Sequence, residues 1–306
     1  MTKTAFLFAG QGAQKLGMAR DLYDRYTIVK DTYDQANSIL GYDIRELIDS
    51  DEEKLNQTRY TQPAILTTSI AIYRLLTENG LTPDMVAGLS LGEYSALVAS
   101  GALSFEEALK LVAKRGEFME TAAPSGLGKM VAVMNTDASL IEEVCEQASQ
   151  KGIVSPANYN TPSQIVIGGE VAAVDEAVVI LKDRGVKRMI PLNVSGPFHT
   201  ALLKEASDKL SEALEQVSFQ SFKIPLIGNT EAKVMDEQSV KTLLARQVME
   251  PVRFYESIET MKNLGLTRVI EIGPGKVLSG FMKKIDKTIE TLFVEDIETA
   301  KQVIES

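Results

Sequence analysis

The stretch MVAGLSLGEYSALVAS, residues 85–100, decides the fold. Met85 to Leu89 is a short apolar run of the kind that makes a buried strand, and Gly92 to Ser100 carries a helical pattern. Between them, Gly88-Leu89-Ser90-Leu91-Gly92 fits G-x-S-x-G, in which small flanking residues permit a strained strand-to-helix turn that lifts a serine hydroxyl clear of the backbone. Strand, sharp turn and helix in that order predict an α/β protein with a largely parallel sheet. The turn also sets Ser90 near a helix amino terminus, where free N–H groups favour a developing oxyanion. The plain alternative is a serine that only caps the helix.

Upstream of this stretch the pattern gives a strand from Thr4 to Ala9, then helical segments to about Asn79, the last opened near Thr61 to Pro63 and stopped at Gly80. Downstream, Ser104 and Glu107 form an S-x-x-E capping box for a helix reaching about Thr121. The flexible segment AAPSGLG, 122–128, then changes the rhythm. Strand Met130–Met134, helix Ser139–Gln150, strand Ile153–Ala157, strand Gln164–Gly168, helix Ala172–Arg184 and strand Lys187–Asn193 follow, the βαββαβ order of a ferredoxin-like unit. The expected organisation is a main α/β domain of residues 1–125 and 196–306 with an inserted subdomain at 126–195. Strands of the main domain return at Ile224–Ile227, Arg268–Ile272 and Ile289–Val294.

A chain of 306 residues with 44% hydrophobic content buries a large core. Its opening reads as a first strand rather than a signal peptide, and no apolar run is long enough to span a bilayer. Cys145 is the only cysteine, which agrees with a reducing compartment and a cytoplasmic location. The formal charge of -10 argues against nucleic-acid binding, because phosphate contacts need clustered Lys and Arg. One His and one Cys exclude a His/Cys zinc site, and no acidic run has calcium-loop spacing, so no metal is expected.

Serine is a weak nucleophile until a base takes its proton, and His199 is the only histidine available. It lies in SGPFHTALLKEASDKL, at the expected head of an amphipathic helix, whose positive end holds an imidazole neutral. Facing solvent or packing into the core are its bland alternatives. Arg115 falls on the apolar stripe Ala108, Leu111, Val112, Phe118 and Met119, with no carboxylate three or four residues away. An inward arginine needs an anion, and a bidentate clamp on a substrate carboxylate supplies one. A tertiary salt bridge or a stem reaching to water competes with that reading. Gly116, costly inside a helix, suggests a close approach of other backbone. Finally, AGQGAQKLG places Lys15 where G-x-G-x-x-G needs glycine, and GPGK at 273–276 lacks Walker spacing, so no nucleotide or other cofactor is expected. Gly10-Gln11-Gly12 can instead offer an oxyanion-binding N–H beside the sheet's carboxyl edge.

These motifs, with TQPA at 61–64, N-Y-N-T-P-S-Q at 158–164, GPFH, and RQVMEPVRF at 246–254, together resemble the malonyl-CoA:acyl carrier protein transacylases of type II fatty-acid synthesis. The resemblance spans nearly the whole chain. It implies an α/β-hydrolase-like core with the ferredoxin-like insert, and malonyl-CoA and acyl carrier protein as partners. It implies Ser90 as nucleophile, His199 as base and then acid, and the N–H groups of Gln11 and Leu91 as oxyanion hole. Arg115 would bind the malonyl carboxylate. Gln247 would orient His199 through its main-chain carbonyl, and Gln62, Asn160 and Phe198 would line the substrate pocket. Leu89 departs from the G-H-S-L-G of many relatives.

Two rivals are weighed against it. A serine hydrolase or thioesterase shares the elbow and the histidine, but the acids between them, Asp137, Asp175 and Asp183, all fall in the inserted unit on helix starts or charged faces. A non-catalytic carrier-protein-binding module would not need Ser90, His199 and Arg115 intact. For docking, Lys187-Arg188 and Lys283-Lys284 are the candidate basic pairs, because carrier proteins are acidic and this chain is too.

Overall fold

In the computed structural model, which describes residues 2–306, the chain opens with strand β1 (Thr4–Phe8). Alternate residues of β1 enter different apolar clusters, Phe6 and Phe8 on one face and Ala5 and Leu7 on the other, as in a sheet covered on both sides. Helices α1 (Arg20–Arg25), α2 (Thr27–Leu40), α3 (Ile44–Ser50), α4 (Glu52–Leu55) and α5 (Thr58–Glu78) lead to β2 (Met85–Gly88). α5 begins three residues before Thr61, with Pro63 inside it. Proline there removes the donor for one carbonyl, that of Arg59, which a 21-residue helix tolerates near its start.

After β2 come α6 (Gly92–Ala99) and α7 (Phe105–Ala122). Ser104 caps α7 by accepting the Glu107 N–H at 3.2 Å, and its hydroxyl donates to the Glu107 carboxylate at 3.1 Å. The next elements are β3 (Gly128–Met134), α8 (Ala138–Ala148), β4 (Val154–Thr161), β5 (Gln164–Glu170), α9 (Val171–Asp183) and β6 (Met189–Pro191). Their strands form a separate antiparallel sheet in the order β4-β5-β3-β6, with its own core under α8 and α9. β4 runs past the expected Ala157 because its ladder with β5 continues through Asn158, Tyr159 and Thr161; Val252 adds an isolated bridge, donating to the Ala157 carbonyl at 2.9 Å and accepting from the Tyr159 N–H at 2.8 Å.

The chain returns through α10 (Lys204–Glu215), α11 (Val240–Gln247), α12 (Phe254–Asn263), β7 (Arg268–Ile272), α13 (Val277–Ile285), β8 (Glu290–Val294) and α14 (Ile297–Ile304). β7 and β8 complete a four-stranded parallel sheet, ordered β2-β1-β7-β8. The strand expected at Ile224–Ile227 shrinks to single bridges, Leu226 with Val86 and Ile227 with Val234. Pro225 has no N–H to extend a ladder, although its carbonyl accepts from Val86 at 2.9 Å. β1 and β2 lie side by side, so the loops at their carboxyl ends, 9–12 and 89–91, meet at the sheet edge where α/β proteins bind ligands. No helix among the described residues is long and apolar enough to cross a membrane.

Candidate active site

The elbow is built by exclusion. A Cβ on Gly88 would stand 2.0 Å from the Gly92 carbonyl carbon, and one on Gly92 would stand 2.1 Å from the Phe8 oxygen. Backbone fills both places, so only glycine fits on either side of the turn. Gly10 is under the same constraint, its missing Cβ lying 2.4 Å from the Leu89 oxygen. Packed this closely, the chain holds Ser90 at φ 55, a left-handed conformation uncommon for a residue with a side chain.

Ser90 Oγ lies 2.8 Å from His199 Nε2, and His199 Nδ1 lies 2.6 Å from the main-chain oxygen of Gln247. A carbonyl can only accept, so Nδ1 carries the proton and Nε2 offers its lone pair to the serine hydroxyl. His199 is buried at φ 60 in a loop, ahead of a 3-10 turn at Ala201–Leu203 and of α10. The expected helix-head position is therefore corrected, and the ring is kept neutral by other means. Burial, followed by the positive charge of Arg115, pushes its pKa down to about 4.

Arg115 is 1% exposed. One terminal nitrogen donates to Gln62 Oε1 at 2.7 Å; the other donates to Gln247 Oε1 at 3.0 Å and to Ser90 Oγ at 3.2 Å. Its guanidinium carbon lies 5.3 Å from the Tyr94 ring centroid, and Nε is buried without a partner. No carboxylate among the described residues forms an ion pair with it, so neither a tertiary salt bridge nor a stem running to water describes this side chain. Burial without a counter-ion lowers its pKa. Gly116 lets α7 press on the start of α5, where a Cβ would lie 2.9 Å from the Thr58 oxygen and 3.0 Å from Arg59 Cα.

The remaining expected residues fall around this centre. Gln11 follows β1, with its side-chain amide donating to Thr58 Oγ1 at 3.1 Å, and Leu91 directly precedes α6. Neither main-chain N–H donates to another described group. Gln62 is wholly buried, and Phe198 is buried beside His199. Asn160 lines a cleft of about 400 Å³ together with Gln11, Leu89, Val166, Leu278 and Phe281, none of Ser90, His199 and Arg115 being among its lining residues. Its Nδ2 donates to Gln164 Oε1 at 2.8 Å, while its Oδ1 is buried and unpartnered. Of the three acids weighed for a triad, Asp175 pairs with Lys129, Asp137 stands at the N-cap position of α8 without a side-chain cap bond, and Asp183 is the exposed last residue of α9. Among the described residues, no three His, Cys, Asp or Glu side chains could share a metal ion.

Sequence reasoning missed two buried groups. Asn229 accepts the Ser90 N–H on Oδ1 at 2.7 Å and donates from Nδ2 to the Gly88 carbonyl at 2.6 Å. Glu93, 0% exposed, accepts the Asn229 N–H at 2.7 Å. A glutamate one residue past the elbow, in the first turn of a nearly uncharged helix, was the available signal.

Comparison with known proteins adds independent findings. The model of the acyl transferase domain family matches residues 5–303. The malonyl CoA-acyl carrier protein transacylase of Bacillus subtilis (strain 168) is 46% identical over 309 residues, covering 100% of this chain and 98% of that protein. The protein of the same name from Escherichia coli (strain K12) is 43% identical over 292 residues, 94% of each. The crystal structure of MCAT from Streptococcus pneumoniae is 66% identical with a TM-score of 0.98, covering 99% of both chains. A malonyl-transacylase solved in complex with its type II PKS acyl-carrier protein is 41% identical with a TM-score of 0.96, again over 99% of both chains.

Proposed function

Because the chain belongs to the acyl transferase domain family, among the malonyl CoA-acyl carrier protein transacylases, we propose that it moves a malonyl group from coenzyme A to the phosphopantetheine thiol of acyl carrier protein, in fatty-acid synthesis. The observation that carries the reading at this site is the placement of Ser90 Oγ between His199 Nε2 at 2.8 Å and the buried Arg115 at 3.2 Å. A base and a fixed cation both stand within hydrogen-bonding distance of the nucleophile.

In the first half-reaction His199 Nε2 takes the Ser90 proton as Oγ bonds to the thioester carbonyl carbon. The tetrahedral intermediate bears a negative oxygen, for which the free N–H groups of Gln11 and Leu91 are the available donors. Collapse breaks the C–S bond, His199 returns its proton to the departing thiolate, and a malonyl-serine ester remains. The second half-reaction runs the sequence in reverse, with His199 taking the proton of the carrier thiol. Arg115 pairs with the malonyl carboxylate, and the apolar cleft at Leu89 and Phe281 suits a pantetheine arm.

A serine hydrolase is the second reading. The partner of His199 Nδ1 is a neutral carbonyl where such enzymes usually place a carboxylate, and this favours the transferase. The same reading takes residues 126–195 as a ferredoxin-like insert, supported by the order β4-β5-β3-β6, and 1–125 with 196–306 as a hydrolase-like core. It also places the protein in the cytoplasm. The test mixes the protein with malonyl-CoA alone and weighs it intact. An adduct of malonyl mass that disappears in Ser90→Ala and passes to added carrier protein is the expected result. Absence of the adduct, or its loss to water without transfer, overturns the reading.

A further inference from the structure

The nucleophile's backbone is held at both of its polar atoms by side chains from far along the sequence. Asn229 Oδ1 accepts the Ser90 N–H at 2.7 Å, and Gln247 Nε2 donates to the Ser90 carbonyl at 2.9 Å. Asn229 reaches past the turn as well, donating from Nδ2 to the Gly88 carbonyl at 2.6 Å. One amide side chain thus brackets the two peptide groups between which the chain reverses.

Asn229 is itself fixed. Its N–H donates to Glu93 Oε2 at 2.7 Å, its carbonyl accepts from the Arg253 N–H at 2.9 Å, and its Oδ1 also accepts from Gln247 Nε2 at 3.3 Å. Asn229 is 1% exposed and Glu93 is 0% exposed. A buried carboxyl is costly to keep, and no step of the proposed reaction uses this one. Its Oε2 takes the N–H of the residue that holds the elbow, and its Oε1 is buried without a hydrogen-bond partner.

We infer that Asn229 is a positioning residue for Ser90, and that Glu93 positions Asn229, so that this two-residue clasp keeps the nucleophile in its left-handed conformation and its hydroxyl on line with His199. A side-chain-bearing residue at φ 55 persists only where its surroundings over-determine it. The Asn229 amide supplies one acceptor and one donor at the required spacing. Aspartate in its place would keep the acceptor for the Ser90 N–H but set a second oxygen against the Gly88 carbonyl. Glutamine in place of Glu93 would keep an acceptor for the Asn229 N–H; alanine would not.

The inference rests on Ser90 being the reactive nucleophile of the acyl-transfer reading, so the test reads serine reactivity without malonyl-CoA. A fluorophosphonate probe is used on the full chain, recording both the fraction of protein that reacts and the rate constant of that fraction. Asn229→Ala should react to the same final fraction as the unaltered protein, with a rate constant lower by roughly ten- to a hundredfold. Asn229→Asp, which alters no volume, should lose about tenfold. Glu93→Gln should stay within about threefold of the unaltered protein while Glu93→Ala falls by roughly tenfold. A merely structural role would lower the reacting fraction and leave the rate constant alone. That outcome, in Asn229→Asp if Asn229→Ala does not fold, overturns the inference, as does equal behaviour of Glu93→Gln and Glu93→Ala. Failure of the acyl-transfer reading would show separately, as a normal fluorophosphonate reaction without any malonyl adduct.

Discussion

Ser90 and His199 meet at 2.8 Å with both backbones in the left-handed region, at φ 55 and 60. Strain of this kind costs about 1–3 kcal/mol per residue and is kept only where neighbouring contacts outweigh it. For His199 those contacts come from two consecutive residues, the carbonyl of Gln247 at Nδ1 and the carbonyl of Val248 at its N–H. For Ser90 they come from Asn229 and again from Gln247. The end of α11 therefore sets the register of Ser90 and His199 together.

The base should work well below the usual histidine range. Burial and Arg115 push the His199 pKa from 6.5 down to about 4, so the imidazole remains unprotonated and able to accept the serine proton at pH 5. The acid limb of kcat/KM for acylation should therefore fall near pH 4 rather than pH 6.5, read from a series of single-turnover rates. In Arg115→Ala the limb should move upward, because one of the two depressing causes is gone. An acid limb near 6.5 in the unaltered protein would show that the ring is solvated in solution.

Arg115→Ala should lower malonyl transfer by about a hundredfold or more, since a buried charge–carboxylate contact is worth about 3–5 kcal/mol to break. Transfer of an uncharged acyl group, such as acetyl, should fall by no more than about tenfold, the loss coming from Gln62 and Gln247 oxygens left without their donor. Arg115→Lys should not restore malonyl use, because an ammonium cannot hold Gln62, Gln247 and a carboxylate in one plane. Competition between malonyl-CoA and acetyl-CoA gives the ratio directly. Equal losses on both would make Arg115 structural.

Gly116→Ala sets two effects against each other. Alanine gains about 1 kcal/mol of helix propensity over glycine. Its methyl, however, must enter the space 2.9 Å from the Thr58 oxygen, and that oxygen belongs to backbone that cannot swing aside. The clash should win, lowering the melting temperature by several degrees and shifting Arg115 with α7. A rise in melting temperature would show that α5 can retreat.

Burial pushes the Glu93 carboxyl up to about 7 from an ordinary 4.5, against the opposing pull of the Asn229 N–H, the Gln247 amide and the Arg115 charge. Between these two values the folded protein holds a proton that the unfolded chain has released, so this group's contribution to stability declines as pH rises through the window. Glu93→Gln has no charge to bury. Its melting temperature should match that of the unaltered protein near pH 4.5 and exceed it by about 5 °C at pH 8, by calorimetry. A constant difference across that range would place Glu93 in a less desolvated setting.

What could be read from the sequence was local. Gly88 announces the elbow because its steric exclusion acts over four residues, against Gly92, and β7 lies where its apolar run predicted. Arg115 announced itself by standing on an apolar stripe. Where several distant segments decide, the sequence was silent. Leu226 looks like part of a strand, yet Pro225 leaves only bridges; the residues before α10 look helical, yet His199 is turned out of the helix to meet a carbonyl 48 positions away. Gln247 was found through resemblance alone. Asn229 and Glu93 escaped notice because a polar side chain takes its meaning from partners more than a hundred residues away.

The separation between the elbow and its clasp has a consequence for the order in which the protein comes into being. Ser90 leaves the ribosome long before its backbone partners, which follow 139 and 157 positions later. A nascent chain that has folded its first helices and β1 with β2 carries the serine but neither the clasp nor the base's anchoring carbonyl. The contacts that anchor Ser90 are therefore long-range ones, which are the slow ones to form. Until α11 docks, an unfinished chain holds Ser90 without the Gln247 side chain and His199 without the Gln247 carbonyl.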